Sequence, residues 1–112
     1  MKKLLSLLGL LVLVGCGPSE LDSFATCLTE NDATFYGAYW CPHCAAQKEL
    51  FKSSVKLIDY VECSLPNRGG ETEICAQEQI ETYPTWEFSD GSRVVGVQSL
   101  DSLAEKTGCA LP

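Results

Sequence analysis

The sequence predicts an α/β domain with a central mixed sheet of about four strands, flanked by helices. Apolar runs typical of strands alternate with stretches whose apolar residues recur at helical spacing. Strands separated by helices pair in parallel, and this sets the direction of most of the sheet. The last two strand-like runs are instead joined by Ser89-Asp90-Gly91-Ser92, a hairpin signal that adds an antiparallel edge.

Eight elements are expected along the chain. The first strand is apolar and aromatic almost throughout, as expected of a strand buried on both faces. Pro42 suits the first turn of a helix, and Ser99 and Gly108 suit the two ends of the last helix. In order, the expected elements are a helix at 21–28, a strand at 34–39, a helix at 42–54, a strand at 57–61, a helix at 71–81, strands at 85–88 and 93–97, and a helix at 100–107.

The helix that begins at Pro42 is expected to have an inward and an outward face. Cys44, Lys48 and Phe51 share the inward face at helical spacing, where Lys48 contributes its aliphatic stem. Gln47 is expected to point mostly outward.

Two cysteines stand at the turn from the first strand into this helix, in Trp40-Cys41-Pro42-His43-Cys44. A helix N-terminus has unsatisfied N–H groups and a positive dipole potential, which favour the reactive thiolate. Cys41, the more N-terminal sulfur, is therefore the expected nucleophile and the more exposed of the two. Cys44, one turn further on, is the expected resolving thiol, and the pair forms the redox disulfide.

The N-terminus resembles a bacterial lipoprotein signal. Two lysines precede an apolar run at 4–14, and residues 13–16 look like a lipobox, which implies cleavage before a lipidated Cys16. The expected organisation is a signal peptide at 1–15, a lipidated tether at 16–22 and a folded domain at 23–112. The alternative is an ordinary secretory signal with a chance cysteine. Either way the domain is extracytoplasmic, and lipidation would make it a membrane-anchored lipoprotein on the periplasmic side or cell surface.

The net charge argues against nucleic-acid binding, and the cysteine content indicates disulfide bonds. A formal net charge of −7 gives no nucleic-acid-binding footprint, and no other apolar stretch approaches membrane-spanning length. If Cys16 carries lipid, six of the seven cysteines are left, and an even number in an exported domain indicates disulfides. Six cysteines allow 15 connectivities, among which spacing does not choose. The spacing offers no second close pair for a metal site.

The chain resembles a thioredoxin-like domain over about residues 21–109. The motif residues are the Trp40–Cys44 segment after a strand, Tyr83-Pro84-Thr85 before a strand, and Gly96 in the final strand. A closer resemblance is to the thioredoxin-like domain fused to bacterial vitamin K epoxide reductase homologues. It is carried by the stretches 35–44, 60–63, 83–86 and 96–100.

The resemblance implies partners and further site residues. In that subgroup the domain passes electrons from substrate thiols to a membrane-embedded, quinone-linked helical bundle, and no such bundle is expected within these 112 residues. Exported protein thiols are therefore the expected substrates. A membrane-embedded vitamin K epoxide reductase homologue is the expected electron acceptor, reached through the lipid anchor. No cofactor is expected beyond the Cys41/Cys44 pair. A cis Pro84 and the Tyr83 backbone, with Trp40, would bind an extended substrate.

The resemblance also bears on the other cysteines. The fused homologues imply a structural disulfide between Cys63 and Cys75, with a second redox pair as the alternative. Cys27 and Cys109 are then left, and a bond between them would tie the first helix to the chain end.

The direction of electron flow is indicated by two positions. Pro42-His43 is the dipeptide of DsbA, an oxidant whose reactive cysteine has a pKa of about 3.5 and whose reduced form is stabilised. His43 can add charge or a hydrogen bond to the Cys41 thiolate, or it can simply cap the turn facing solvent. Phe35 occupies the position where thioredoxins commonly bury an acid. The sequence therefore favours a protein-disulfide oxidant. A reductase or isomerase, and a copper carrier using Cys41, His43 and Cys44, are the alternatives.

Overall fold

The computed structural model describes residues 19–112; the expected signal peptide and Cys16 lie outside the described residues. The expected order of four helices and four strands is confirmed. The elements are α1 (Asp22–Glu30), β1 (Thr34–Gly37), α2 (Pro42–Phe51), β2 (Asp59–Glu62), α3 (Glu73–Gln77), β3 (Thr85–Glu87), β4 (Arg93–Val95) and α4 (Leu100–Thr107), with 3₁₀ segments at Lys52–Leu57 and Pro66–Arg68.

The strands form one mixed sheet in the order β2-β1-β3-β4. The central strand β1 pairs in parallel with β2, where Phe35 lies opposite Tyr60, and antiparallel with β3, where Phe35 lies opposite Trp86. The hairpin partner β4 then pairs antiparallel with β3 at the edge. This is the predicted α/β architecture, and it is compatible with a thioredoxin-like fold.

Aromatic side chains fill the core where the sheet packs against helices. The Phe35 and Trp86 rings are stacked with centroids 5.1 Å apart, and Phe51 of α2 lies 6.1 Å from Trp86. Phe24 of α1 and Leu103 of α4 are buried in the same cluster. Burial of each of these side chains contributes about 1.5–3 kcal/mol, so the core fixes the position of α2 against the sheet.

Several elements are shorter than the residue pattern predicts. Helix α2 ends at Phe51, because Lys52 adopts φ 50° and the chain continues as a 3₁₀ segment, so the second strand begins only at Asp59. Helix α3 has five residues instead of the predicted eleven. It ends because Gln79 adopts φ 56° and the Ile80 N–H turns back to the Cys75 carbonyl at 3.0 Å.

The expectation that Gln47 points outward is wrong. Its side chain is fully buried, and its amide oxygen accepts hydrogen bonds from the Trp86 indole N–H at 3.0 Å and the Gln98 N–H at 2.7 Å. Its amide nitrogen donates to the Gln98 carbonyl at 3.0 Å. These bonds offset the cost of burying a polar group. Gln47 therefore joins α2 to β3 and to the segment that leads into α4.

Two disulfides close the fold. Cys27 of α1 is bonded to Cys109, one residue beyond the Gly108 cap of α4, and the two are 82 residues apart in sequence. Cys63, directly after β2, is bonded to Cys75 of α3. Within residues 19–112, no helix is long and apolar enough to cross a membrane.

Candidate active site

The dithiol lies where β1 turns into α2. Cys41 is the N-cap residue of α2 with extended backbone, and Pro42 occupies the first helical turn, where an N–H would have no partner inside the helix. The Cys41 N–H donates to the Ala38 carbonyl at 3.0 Å, which closes the turn that follows β1. The local sequence therefore places both sulfurs at the positive end of the helix.

The two sulfurs differ in their surroundings. Cys41 is 7% exposed and Cys44 is 0% exposed, so Cys41 is the more accessible, although both are buried. The Cys44 N–H donates to the Cys41 Sγ at 3.2 Å, a bond that a negatively charged sulfur accepts more strongly than a neutral one. Cys41 and Cys44 are the described cysteines that are not in disulfides.

Burial changes the acidity of Cys44. The pKa of its thiol is raised from 9.0 to about 12, mainly by loss of solvent and further by the hydrogen bond with the Cys41 side chain. A backbone hydrogen bond from Ala38 and the positive charge of Lys48 act in the opposite direction. Cys44 is therefore protonated at neutral pH in the dithiol and reacts only after losing its proton.

Gly37 makes the close approach of β1 to the dithiol possible. A Cβ at this position would stand 3.0 Å from the Cys44 Sγ and 3.0 Å from the Tyr60 Cε2. Both distances are tighter than most Cβ contacts, so any residue other than glycine would require the sulfur and the ring to move by a few tenths of an ångström. The sequence interpretation missed Gly37; its signal is a residue without a side chain inside an otherwise apolar strand.

Tyr83 and Pro84 lie beside Cys41, as the sequence resemblance implies. The Tyr83–Pro84 peptide bond is cis, and the Cys41 Sγ lies 3.8 Å from the Tyr83 carbonyl oxygen. The Trp40 ring packs edge-on against Tyr83 at 6.0 Å and is 38% exposed. Together these residues form an open wall next to the more accessible sulfur.

The loop between Cys63 and Cys75 contacts the two residues that directly precede Cys41, Tyr39 and Trp40. The Trp40 indole N–H donates to the Ser64 hydroxyl at 2.8 Å, and the Arg68 guanidinium lies 4.8 Å from the Trp40 ring centroid. The Arg68 N–H donates to the Tyr39 hydroxyl at 3.0 Å. This disulfide-closed loop therefore restrains both residues that precede Cys41.

Glu62 at the end of β2 was also missed by the sequence interpretation. One carboxylate oxygen accepts from the Tyr39 N–H at 3.2 Å and from the Ser64 N–H at 3.0 Å. The other accepts from the Tyr60 hydroxyl at 3.0 Å. The only sequence signal is an acid directly before Cys63, just after the strand predicted at 57–61.

His43 is exposed on the first turn of α2, between the two cysteines. Within residues 19–112, no group of three or more His, Cys, Asp or Glu side chains is arranged to hold a metal ion.

Comparison with known proteins agrees with this chemistry. No family model matches the chain. The chain is similar to the thiol-disulfide oxidoreductase LTO1 of Arabidopsis thaliana, with 41% identity over 88 residues. The match covers 75% of this chain and 23% of that protein, so the chain spans less than a quarter of the relative's length. The chain is thus a homologue of a thiol-disulfide oxidoreductase, and it has an α/β fold that brings two unbridged cysteines together at the start of a helix.

Proposed function

We propose that this protein is an extracytoplasmic thiol–disulfide oxidoreductase that oxidises pairs of thiols in exported proteins. The observation that carries the proposal is the position of the Cys41 sulfur. This sulfur caps α2 and accepts a hydrogen bond from the Cys44 N–H. It lies beside the Tyr83 carbonyl and is more accessible than the Cys44 sulfur. This is the geometry that a disulfide needs if it is to be attacked at one defined sulfur.

The reaction starts from a Cys41–Cys44 disulfide. A substrate thiolate attacks the Cys41 Sγ, the Cys41–Cys44 bond breaks, and Cys44 leaves with the electron pair and takes up a proton. A second substrate thiolate then attacks the substrate sulfur of the mixed disulfide, and Cys41 leaves as a thiolate. The substrate loses two electrons and gains a disulfide, while the cysteine pair gains the two electrons.

The wall beside Cys41 supports an extended substrate segment. The Tyr83 carbonyl is next to the sulfur, and Pro84 has no N–H that would compete for the substrate backbone. The exposed Trp40 ring, which packs against Tyr83, adds an apolar surface to the same wall. A flexible segment that contains a cysteine fits this arrangement better than a small molecule does, because the wall is open.

Two features support the oxidising direction. A donor aimed at Cys41 stabilises its thiolate, and stabilising the reduced form makes the disulfide a stronger oxidant. The position where thioredoxins commonly bury an acid is occupied by Phe35, which is fully buried between aromatic rings. A reductase or isomerase is the alternative, and the reduction potential separates it from an oxidant.

The electron acceptor in this proposal is a membrane-embedded quinone reductase of the vitamin K epoxide reductase type. The support is the sequence resemblance of the segments around Cys41, Cys63 and Pro84 to domains fused to such reductases. Lipidation of Cys16 would hold the domain at the same membrane. The cysteine pair itself carries the electrons, so the proposal needs no further cofactor in this domain.

The proposal is tested by trapping with Cys44→Ala in the full chain, expressed in a bacterium with its own signal segment. Without Cys44, the mixed disulfide on Cys41 has no internal thiol to resolve it and should accumulate. We expect two classes of Cys41-linked protein by mass spectrometry: exported proteins and a membrane quinone reductase. The matched control is the Cys41→Ser/Cys44→Ala double variant. No Cys41-linked species, or equal capture by the control, would contradict the proposal.

A further inference from the structure

The buried Cys44 thiol must lose and regain a proton in each catalytic cycle, yet no carboxyl group occupies position 35 to assist. The charged and titratable groups that act on Cys44 come from three parts of the chain. Cys41 at the N-cap of α2, Lys48 in α2, Tyr60 in β2 and Tyr83 before β3 all interact with it electrostatically. Lys48 is the cation of this set.

Lys48 lies one helical turn after Cys44, on the same face of α2. Its ammonium nitrogen is 4.0 Å from the centroid of the Tyr60 ring, a distance at which the negative face of an aromatic ring attracts a cation. The edge of the same ring and the Cys44 Sγ both lie 3.0 Å from the position that a Gly37 Cβ would occupy. The ring therefore holds the ammonium close to the side of α2 from which Cys44 projects.

The Tyr60 ring is itself fixed from two sides. Its hydroxyl donates to Glu62, whose other carboxylate oxygen is already bonded to two backbone N–H groups. The Tyr60 and Phe35 rings pack edge to face, with centroids 4.9 Å apart. Tyr60 and Lys48 are both half-buried, so the charge of the ammonium is screened less by solvent than that of a surface lysine.

We propose that Lys48, held in place by the Tyr60 ring, is the electrostatic partner that stabilises the Cys44 thiolate in the redox cycle. Tyr60 is the positioning residue, because it acts on Cys44 through the ammonium. The inference rests on the proposed function and deepens it, since it names the residue that stabilises the Cys44 thiolate in a domain where Phe35 occupies the position of the buried acid.

The step that depends on Lys48 is the resolution of a mixed disulfide on Cys41. The Cys44 thiol gives its proton to solvent, and its thiolate attacks the Cys41 Sγ. The bond between Cys41 and the partner sulfur breaks, and the partner sulfur leaves with the electron pair. The same charge stabilises Cys44 as a leaving thiolate when a substrate attacks the Cys41–Cys44 disulfide.

The test uses the full chain with the Cys41/Cys44 pair reduced, and dithiobis(nitrobenzoate), an aromatic disulfide. One coloured thiolate is released when the mixed disulfide forms and a second when it is resolved. The first release reports attack by Cys41, and the second reports resolution by Cys44. We expect Lys48→Met to slow the second release about three- to tenfold at neutral pH, because loss of the cation raises the pKa of Cys44 and leaves less thiolate to attack. The first release should change by less than about twofold.

Three controls separate an electrostatic role from a structural one. Lys56→Met removes an exposed lysine from the 3₁₀ segment after α2 and should leave both steps unchanged. Lys48→Arg keeps the cation and should restore the second rate. In the wild type and in Lys48→Met, the second rate should rise about tenfold per pH unit, because only the thiolate attacks.

An unchanged second rate in Lys48→Met, or an equal loss in Lys56→Met, would overturn the inference. The assay needs only Cys41, Cys44 and the reagent. It therefore measures the effect of Lys48 on Cys44 even if the trapping experiment finds no substrate. Conversely, trapped substrates together with a normal second rate in Lys48→Met would leave the proposed function standing and remove Lys48 from it.

Discussion

In the reduced protein, Cys44→Ser is expected to form a mixed disulfide with oxidised glutathione, whereas Cys41→Ser should form it at least about tenfold more slowly. The thiol of the pair that remains in Cys41→Ser is Cys44, which is fully buried, and loss of solvent raises its pKa. Few such thiols are ionised at neutral pH, so attack through Cys44 is slow even before access is considered. The thiol of the pair that remains in Cys44→Ser is Cys41, the more accessible sulfur, which lies beside the Tyr83 carbonyl.

The measurement is the rate of glutathione adduct formation, followed by mass spectrometry of the intact chain. The two variants are matched controls for each other, since each has one cysteine of the pair and the same two structural disulfides. Equal rates, or faster modification of Cys44, would reverse the roles assigned to the two sulfurs.

Loss of the Cys27–Cys109 disulfide is expected to lower the free energy of unfolding by about 4.5 kcal/mol, against about 3 kcal/mol for loss of Cys63–Cys75. The difference follows from the length of chain that each bond closes: the paired residues are 82 and 12 positions apart in sequence. The longer closure removes more conformational entropy from the unfolded chain. For a domain of this size, either loss is a large fraction of the total stability.

The comparison uses Cys27→Ala/Cys109→Ala and Cys63→Ala/Cys75→Ala, unfolded by denaturant with the Cys41–Cys44 pair oxidised in every protein. The second variant carries a further expectation. It should alter the environment of Trp40, whose indole bonds to Ser64 inside the Cys63–Cys75 loop, and so change its fluorescence. A greater destabilisation from the shorter loop than from the longer one would contradict the entropy argument.

Features set by neighbouring residues could be predicted from the sequence. The bounds of α4 could be predicted because its cap residues, Ser99 and Gly108, stand directly at its two ends. The Ser99 hydroxyl accepts a hydrogen bond from the Ser102 N–H at 3.1 Å, and Gly108 adopts φ 77°. Pro42 likewise gave the start of α2. The dithiol and its position at a helix start follow from the same kind of local pattern.

Features set by distant residues could not be predicted in this way. Gln47 is buried because its amide meets Trp86 and the Gln98 backbone, 39 and 51 positions away, and a helical face gives no information about such partners. The contact of Lys48 with Tyr60 depends on how α2 crosses the strand beside β1. The short α3 depends on the backbone of Gln79, a residue with no evident preference for the left-handed region.

The reduction potential of the Cys41/Cys44 pair tests the central claim, that this domain is a disulfide oxidant, most directly. It is measured on the full chain by equilibration with glutathione buffers and quantification of the reduced and oxidised forms by alkylation. We expect a midpoint more positive than about −200 mV, toward the value of about −120 mV for DsbA. A midpoint at or below the about −270 mV of thioredoxin would contradict it and make the protein a reductase.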